Sequence, residues 1–512
     1  RDFWESVSAA DLESSLRLSW NNRRARNVVL FVGDGLGPNT ITAARIYRAG
    51  EHTKLALETL PHMGLLKTYS ANKQVPDSAS TATAMFCGVK TNYEVIGLDE
   101  SVQLRDCPSS LSDRARLTSI VDWAQQAGKG TGFVTTTRVT HATPAALYAH
   151  SADRKWECDM TMPDNATICQ DIATQLVQES PGKYMQVIMG GGRQCLKSDV
   201  EDLENDPVDK WACLRQDGKD LIKDWSLRRL ANGNTFQVAD KTEHLDNLDY
   251  DNIEYLLGIF ANSHLSYEYS RDKGPRGMPS LEQMTLSAIR VLLKQRNGFV
   301  LIVEGGLIDV AHHRCNARKA LQETLAFDQA INSSLRLLAD QGILDDTLVI
   351  VTSDHAHTLT INGYPERGNN ILGISQVSKL DGVPYTTLSY STSGPNGYHF
   401  RPSQDGTSVV REDPSKVDTT HWEYAQQSAI LTDENTHGGS DVLVYATGPK
   451  AHLFHSLHEQ NYVAAVISYA AQIGKYAKRN ARMASHAIYQ GPPSVVISCI
   501  IFYSIINFWK SM

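Results

Sequence analysis

This 512-residue chain has no closely spaced cysteine pair of the CxxC type, no excess of basic over acidic residues and few long apolar runs. None of its eight cysteines lies in a CxxC pair, which argues against thiolate zinc fingers and thioredoxin-like redox sites. Lysine plus arginine number 49 against 57 for aspartate plus glutamate, so the formal charge is −8 and nucleic-acid binding is not expected. With 41% hydrophobic and 21% charged residues, the composition is that of a folded globular protein with room for two or three domains.

The two ends of the sequence favour a secretory route. The chain begins at Arg1 without a methionine or an apolar leader, as a mature N-terminus does. The uncharged apolar run 495–509 is shorter than the about 20 residues that a spanning helix requires. It follows small residues at Ala484 and Ser485 and a polar spacer, the layout of a GPI-attachment signal with Ser485 as the modified residue. We therefore expect a GPI-anchored protein on the extracellular face of the plasma membrane; a short tail anchor or a buried terminal strand is the alternative.

Two Asn-x-Ser/Thr triplets are candidate glycosylation sites. They begin at Asn165 and Asn332, and such triplets also arise by chance. Asn332 falls within residues 317–338, whose apolar spacing predicts a helix, so Asn165 carries more weight.

Apolar, β-branched runs that alternate with helical stretches predict a parallel sheet buried by helices on both faces. The runs are 27–32, 131–136, 185–189, 299–303, 347–352 and 441–446. We expect a three-layer α/β/α sandwich with a mostly parallel central sheet.

One stretch, residues 363–431, differs from the rest in composition. It is rich in Gly, Pro, Ser, Thr, Asn and Tyr and has no sustained helical period, so we expect an inserted, loop-rich, crown-like subdomain. The α/β core then consists of residues 1–362, with an N-terminal arm at 1–26, and residues 432–480. Residues 481–512 form the predicted GPI-attachment signal.

Acidic residues and histidine follow several of the predicted strands directly. Asp34, Glu304, Asp354 and His355 each stand just after an apolar run. Because ligands of open α/β sheets bind outside the carboxyl ends of the strands, this convergence predicts a binding site there.

The residue types at this edge suit divalent metals. Asp309 and His313 are four residues apart, so both lie on one face of a helix and can reach one metal ion. The candidate ligands for two zinc ions are Asp34, Asp309, His313, Asp354, His355 and His437. Two such ions can hold the attacking and the leaving oxygen of a displacement at phosphorus. Thr143 and Glu304 offer oxygens, which are better matched to magnesium.

The segment 75–84, VPDSASTATA, offers a candidate nucleophile at Ser78. Pro76 followed by Asp and Ser is a helix-start signal, and a helix N-terminus favours a nearby phosphate. A plain N-cap, for which serine and aspartate are both preferred, is an equally good interpretation of the segment alone.

Seven separate blocks of this sequence resemble the alkaline phosphatase family, in the same order. They are 32–35 (VGDG), 76–84 (PDSASTATA), 136–141 (TTRVTH), 303–306 (VEGG), 308–313 (IDVAHH), 354–357 (DHAH) and 436–439 (THGG), and the resemblance runs from about residue 2 to about residue 473. It implies metal-dependent hydrolysis of small phosphate monoesters through a phosphoseryl intermediate on Ser78. It also implies a homodimer, with the arm 2–18 and the insert 363–431 as contact elements.

The resemblance assigns a role to each site residue. One zinc is expected on Asp309, His313 and His437, and the second on Asp34, Asp354 and His355. Magnesium is expected on Asp34, Thr143 and Glu304, with His141 just outside its ligands and His357 near the first zinc. Arg154 is expected to clamp two phosphate oxygens, a task that suits the guanidinium fork.

Some family features carry over only in part. Vertebrate members have a calcium site that uses acids near residues 260–284. The stretches 260–263 (FANS) and 278–280 (MPS) lack the expected acids, so a calcium site is not expected and an invertebrate-type member is favoured. Cys107 and Cys169 match a family disulfide, and Cys87 matches a buried free cysteine. Cys195 and Cys213 are candidates for an extra short-loop bridge, while Cys158 and Cys315 have no assignment.

Related folds carry other activities, so the fold alone does not decide the reaction. Sulfatases need a modifiable Cys or Ser in a different sequence context from that of Ser78. A phosphodiesterase of the same superfamily, or a surface-tethered binding protein on a phosphatase fold, is the alternative.

Overall fold

Helices and strands alternate along most of the chain, as the pattern of apolar runs predicts. The computed structural model describes residues 1–166 and 168–477. In these ranges the α-helices are α1 (Asp2–Leu16), α2 (Pro38–Ala49), α3 (Ser78–Cys87), α4 (Cys107–Ser110), α5 (Ile120–Gln126), α6 (Ala142–Ala145), α7 (Ile172–Gln178), α8 (Arg193–Leu196), α9 (Leu221–Ala231), α10 (Thr242–Asp246), α11 (Leu281–Leu292), α12 (Leu307–His313), α13 (Ala317–Asp340) and α14 (Tyr462–Ala471). The strands are β1 (Asn27–Gly33), β2 (His62–Lys67), β3 (Gly130–Arg138), β4 (Val187–Gly191), β5 (Phe236–Ala239), β6 (Tyr255–Ile259), β7 (Phe299–Gly305), β8 (Thr347–Ser353), β9 (Ala356–His357), β10 (Leu359–Ile361), β11 (Ile374–Val377), β12 (Pro384–Thr386), β13 (Leu388–Ser393), β14 (Phe400–Pro402), β15 (Val409–Arg411), β16 (Ser428–Leu431), β17 (His437–Gly438), β18 (Val442–Thr447) and β19 (Ser456–Glu459).

Ten of these strands form one sheet in the order β19-β2-β18-β8-β1-β7-β3-β4-β6-β5. All neighbours are parallel except β18, which runs antiparallel to both β2 and β8. The predicted mostly parallel sheet is confirmed, and the six predicted runs correspond to β1, β3, β4, β7, β8 and β18.

Helices cover both faces of the sheet. In the central strand β1, Val28 and Leu30 pack in one hydrophobic cluster with α3, α5 and α14, whereas Val29 and Phe31 pack in a second cluster with α2, α11 and α13. Successive strand residues point to opposite faces, so two separate cores flank one sheet. The three-layer α/β/α architecture is therefore confirmed.

The segment 363–431 forms small sheets outside the central one. Strands β11 and β12 pair, as do β14 and β15, while β13 and β16 join β10 in a three-stranded sheet. The strands that flank the segment, β9 and β17, pair with each other and place His357 opposite His437. The segment thus leaves and re-enters the core at one place, and its status as a separate subdomain stays a prediction.

The N-terminal helix α1 has no buried residue, and its Phe3, Trp4 and Leu16 are exposed.

Of the two candidate glycosylation sites, Asn165 is exposed and Asn332 is half-buried within α13. In the described part of the chain, no helix is long and apolar enough to span a bilayer. The predicted GPI signal at 481–512, with Ser485, lies outside the described residues.

The cysteine pairing confirms one prediction and corrects another. Cys107 bonds to Cys169, and Cys87 is free and buried, both as expected. The predicted pair of Cys195 and Cys213 is wrong, because Cys213 bonds to Cys158, whose Cα lies 5.9 Å away. All three sulfurs lie in one buried cluster, and the free Cys195 thiol donates to the backbone carbonyl of Cys213 at 3.3 Å. Sequence separation favoured the nearer partner, whereas the fold brings the distant one into bonding range.

Candidate active site

The carboxyl ends of three adjacent strands bring the predicted acids together. Strand β1 lies between β7 and β8, with Gly33 aligned to both Gly305 and Ser353. Asp34, Glu304 and Asp354 therefore meet at one edge, and each is buried. Gly35 follows with φ +72°, and a Cβ there would stand 2.7 Å from the His357 ring, so the turn requires glycine.

Ser78 is the first residue of α3, and Asp77 is the residue that caps this helix. The Asp77 carboxylate accepts from the backbone of Ala79 and Ser80, and the Ser80 side chain completes a capping box. The interpretation of Ser78 as a plain N-cap is therefore wrong. Its Oγ is free to lie 3.2 Å from His355 Nε2 and 3.5 Å from Asp34 Oδ1.

Helix α12 and the paired strands β9 and β17 supply a second group around Asp309. Asp309 Oδ2 lies 3.3 Å from His313 Nε2, one helical turn away, and Asp309 Oδ1 lies 2.5 Å from His357 Nε2. Nε2 of His313 and Nε2 of His437 are 3.1 Å apart. All four side chains offer ligand atoms within 4.8 Å of one another, so one ion could contact them.

Hydrogen bonds to the outer ring nitrogens show that this group suits a metal. Nδ1 of His313 donates to the Asn435 carbonyl at 2.8 Å, and Nδ1 of His437 donates to the Pro76 carbonyl at 2.8 Å. A carbonyl can only accept, so each neutral ring carries its proton on Nδ1 and presents a bare Nε2. Two bare nitrogens facing each other beside a carboxylate are the donor set that a divalent cation such as zinc binds.

A second set of ligand atoms surrounds Ser78. Asp34, Asp309 and His355 bring ligand atoms within 4.8 Å of one another, and Asp354 Oδ2 lies 3.1 Å from His355 Nε2. The set predicted for the second zinc is thus brought together, with Asp309 at its border.

A third set is dominated by oxygen. Asp34, His141 and Glu304 form a possible metal group, and three buried oxygens there have no hydrogen-bond partner: Asp34 Oδ2, Thr143 Oγ1 and Glu304 Oε1. The other oxygen of Glu304 accepts from Thr135 Oγ1 and from Thr137 Oγ1. Unpaired buried oxygens are costly unless something binds them, so these residues fit the predicted magnesium.

The electrostatics of the edge favour cations. Burial, followed by the carboxylates of Asp309 and Asp354, raises the pKa of Asp34 well above its ordinary value. Burial also raises the pKa of Glu304 to about 7 and that of Asp354 to about 6. Burial opposes the charged form of Asp309 too, yet His313 and His357 outweigh it and hold the pKa of Asp309 well below its ordinary value. Carboxylates that repel one another in a buried site gain most from bound metal.

Arg154 stands over the same edge. Its Nη1 donates to Asp77 Oδ2 at 3.1 Å and its Nη2 donates to His141 Nε2 at 3.1 Å. Asp77 therefore both caps α3 and orients the guanidinium, a second role that the sequence interpretation missed although the residue stands inside the motif. A cavity of about 1020 Å³, lined in part by His141, Arg154, Asp309 and His313, opens from this point towards residues of the insert.

Asn262, within the segment 260–284 where a calcium site is not expected, contacts the guanidinium of Arg193. Arg193 Nη1 lies 2.5 Å from Asp206 Oδ2 and 3.0 Å from Asn262 Oδ1, and its Nη2 donates to the Ile259 carbonyl. The expectation that calcium does not bind here stays a prediction.

Comparison with known proteins supports the sequence resemblance over nearly the whole described chain. A family profile described as alkaline phosphatase matches residues 25–473. The chain is 42% identical over 483 residues to the tissue-nonspecific alkaline phosphatase of Mus musculus, covering 92% of this chain and 88% of that protein. It is 38% identical to alkaline phosphatase 4 of Drosophila melanogaster, covering 92% of this chain and 82% of that one.

Solved structures show the same fold. The alkaline phosphatase of Thermus thermophilus matches with a TM-score of 0.60 and 25% identity, covering 88% of this chain and 92% of that one. The enzyme of the Antarctic bacterium TAB5 matches with a TM-score of 0.58 and 22% identity, covering 89% and 100%. The matched residues include every strand and helix that builds the metal-binding edge, and the chain belongs to the alkaline phosphatase family.

Proposed function

We propose that this protein hydrolyses phosphate monoesters to an alcohol and inorganic phosphate through a phosphoseryl intermediate on Ser78, with two zinc ions and one magnesium ion. The observation that carries the proposal is the convergence of Ser78 Oγ with three sets of metal-ligand atoms at one edge of the sheet. Bound zinc would lower the pKa of the serine hydroxyl and stabilise the oxygen that leaves.

The chain itself prepares Ser78 for attack on phosphorus. Asp77 caps α3, so the Ser78 hydroxyl is not used for capping and points at His355 and Asp34. The helix N-terminus behind it favours the negative charge of a phosphate group. In the first step Ser78 Oγ forms a bond to phosphorus as the ester oxygen departs with a proton; in the second step water releases phosphate and restores the serine.

Arg154 is proposed to hold the phosphate during both steps. Its guanidinium is fixed on one side by Asp77 and on the other by His141, and it faces the cavity. A fork that is already oriented loses little side-chain entropy when two phosphate oxygens bind.

Replacement of Ser78 by alanine tests this proposal. We expect Ser78→Ala to keep zinc and magnesium, to form no phosphoenzyme from radiolabelled phosphate ester, and to lose activity by at least about 1000-fold. The conservative change Ser78→Thr serves as the control, because it keeps a hydroxyl. Hydrolysis of p-nitrophenyl phosphate by Ser78→Ala at the wild-type rate would exclude Ser78 as the nucleophile.

Three further features remain proposals. We propose a homodimer, supported by the exposed apolar residues of α1, and sedimentation equilibrium tests it.

We propose a GPI anchor at Ser485, tested by release with a phosphatidylinositol-specific phospholipase C. Glycosylation at the exposed Asn165 is tested by a mass shift after glycosidase treatment, and the insert 363–431 as a separate unit is tested by limited proteolysis.

A further inference from the structure

Three histidines surround Asp309, and their geometry alone does not say which of them bind metal. His313, His357 and His437 all place a ring nitrogen within 4.8 Å of the Asp309 carboxylate and of one another. A metal bound by all three and by Asp309 would have four protein ligands, the closed arrangement of structural zinc. A catalytic metal keeps one position open for water or substrate, so the number of coordinating histidines decides what the ion can do.

The outer ring nitrogen decides which histidine can coordinate. His313 and His437 both donate from Nδ1 to backbone carbonyls, so in the neutral rings that bind a metal Nε2 is the nitrogen that carries the lone pair. His357 is different, because its Nδ1 lies 3.0 Å from the side-chain nitrogen of Asn435. An amide nitrogen can only donate, so Nδ1 of His357 must be the bare nitrogen and the ring proton must be on Nε2.

The orientation of the Asn435 amide is fixed by its other partners. Asn435 is fully buried, and the nitrogen that faces His357 also lies 2.9 Å from the backbone carbonyl of His312. If the amide were reversed, two oxygens would face each other there. Its oxygen instead accepts from Thr358 Oγ1 at 2.5 Å and from Thr392 Oγ1 at 3.2 Å. Both amide hydrogens are thus used, one on His312 and one on His357.

The same tautomer explains the contact between His357 and Asp309. With its proton on Nε2, His357 donates to Asp309 Oδ1 at 2.5 Å. The ring therefore supports the carboxylate as a hydrogen-bond donor and has no lone pair to offer on that side. Asp309 Oδ2, which lies towards His313, stays available for the ion.

We propose that Asn435 is a positioning residue that sets the tautomer of His357 and so keeps this histidine out of the coordination of the first metal. The ion is then held by Asp309, His313 and His437 alone, and a fourth position stays open. The catalytic meaning of that open position rests on the proposed function, whereas the coordination itself does not.

The wild-type protein gives the first test. In a crystal structure of the zinc-loaded protein, we expect His313 and His437 Nε2 at about 2.0–2.1 Å from one zinc ion and His357 Nε2 beyond about 3 Å. His357 at the shorter distance would overturn the proposal, even if the protein hydrolyses phosphate esters normally. Failure of the proposed function would show differently, as wild-type protein that forms no phosphoenzyme.

The variant Asn435→Asp gives the second test. A carboxylate can only accept, so His357 should move its proton to Nδ1 and present a bare Nε2 to the zinc. We expect the His357 Nε2–zinc distance to shorten to about 2.0–2.1 Å and kcat to fall by about 10- to 100-fold, with zinc content unchanged. Unchanged coordination in the variant, or loss of zinc from it, would overturn the proposal.

Thr392→Val is the matched control for this variant. It removes a hydrogen bond to the oxygen of the same amide but leaves the nitrogen on His357. We expect zinc coordination as in the wild type. A shift of His357 onto zinc in Thr392→Val would mean that any disturbance of Asn435 has this effect, which would also overturn the specific role of its nitrogen. If Asn435→Asp does not fold, the tautomer of His357 in the wild-type protein decides, read from the 15N chemical shifts of its ring: a proton on Nδ1 would overturn the proposal.

Discussion

The histidines of the active site and those at the edge of the central sheet form two similar groups with different surroundings. In the site, Nε2 of His313 and His437 are 3.1 Å apart. At the edge, Nδ1 of His62 lies 2.9 Å from Nε2 of His455, and the ring of His452 packs close by. Distance alone does not distinguish the two groups.

Their partners do distinguish them. The site pair lies beside Asp309, and both outer nitrogens are held by carbonyls. For His62 and His455 the described residues provide no ion pair with a carboxylate, and burial followed by the neighbouring His455 and His452 lowers the pKa of His62 to about 4. The edge rings therefore share a proton in an ordinary hydrogen bond, whereas the site rings are prepared for a cation.

Removal of one histidine from each group gives the largest expected difference. We expect His437→Ala to lose one zinc per chain and at least about 100-fold in kcat, because a ligand position is emptied. We expect His455→Ala, the matched change at the edge, to keep the wild-type zinc content and activity. Elemental analysis of dialysed protein and steady-state kinetics measure both, and equal zinc loss from the two variants would remove the distinction drawn above.

A smaller effect is expected from the residues that hold a site carboxylate in place. Thr135 donates to Glu304, so Thr135→Val should weaken magnesium binding by about 10-fold, as loss of a group behind a metal ligand does. Thr131→Val on the same strand is the control, since its hydroxyl accepts from Gln125 away from the site. Magnesium titration of metal-depleted protein measures the difference, and similar weakening in both variants would contradict this role of Thr135.

The smallest effect concerns the edge group and pH. The pKa of His62 is lower in the folded protein than in the unfolded chain, so the unfolded state binds the extra proton first as pH falls from about 6.5 towards 4. The stability contributed by neutral His62 is therefore present above that range and lost within it. Because His455 is exposed, solvent screens its charge, and we expect the change in the free energy of unfolding over this pH range to be only about 1 kcal/mol. It should appear as a smaller loss of stability in His62→Gln than in the wild type.

Denaturant midpoints at about pH 7 and about pH 5 measure this difference in the free energy of unfolding. His458→Gln is a suitable control, because its Nε2 bonds to the His455 carbonyl and not to another ring. An identical loss of stability in the wild type and in His62→Gln would show that His62 is not the group that titrates.

The inner part of the sheet could be predicted from the sequence, and its outer part could not. The runs that become β1, β7 and β8 are buried on both faces and read as continuous apolar stretches. Strand β2 alternates buried and exposed residues, and β19 is polar and largely exposed, so neither gives a continuous apolar signal. Sequence signals of this kind report burial, and they weaken at the edges of the sheet.

The candidate site divides in a similar way. Ligands such as Asp309 and His313 can be recognised in the sequence from their residue type and their spacing, and the structure brings them together. Asn435 and Thr135 act on the site through side-chain hydrogen bonds, and an amide or hydroxyl has no distinctive spacing along the chain. The partner of Cys213 was missed for a related reason, because three cysteines that converge in space cannot be ranked from their positions in the sequence.

The pairing of β9 with β17 has a consequence for how such a protein can change. This short bridge joins the two ends of the insert directly beside the metal ligands. The parts of residues 363–431 that lie away from Thr392, whose hydroxyl holds the Asn435 amide, can therefore lengthen, shorten or be exchanged while His437 keeps its place opposite His357. Evolution and protein engineering can reshape the wall of the cavity in this way and leave the metal ligands where they are.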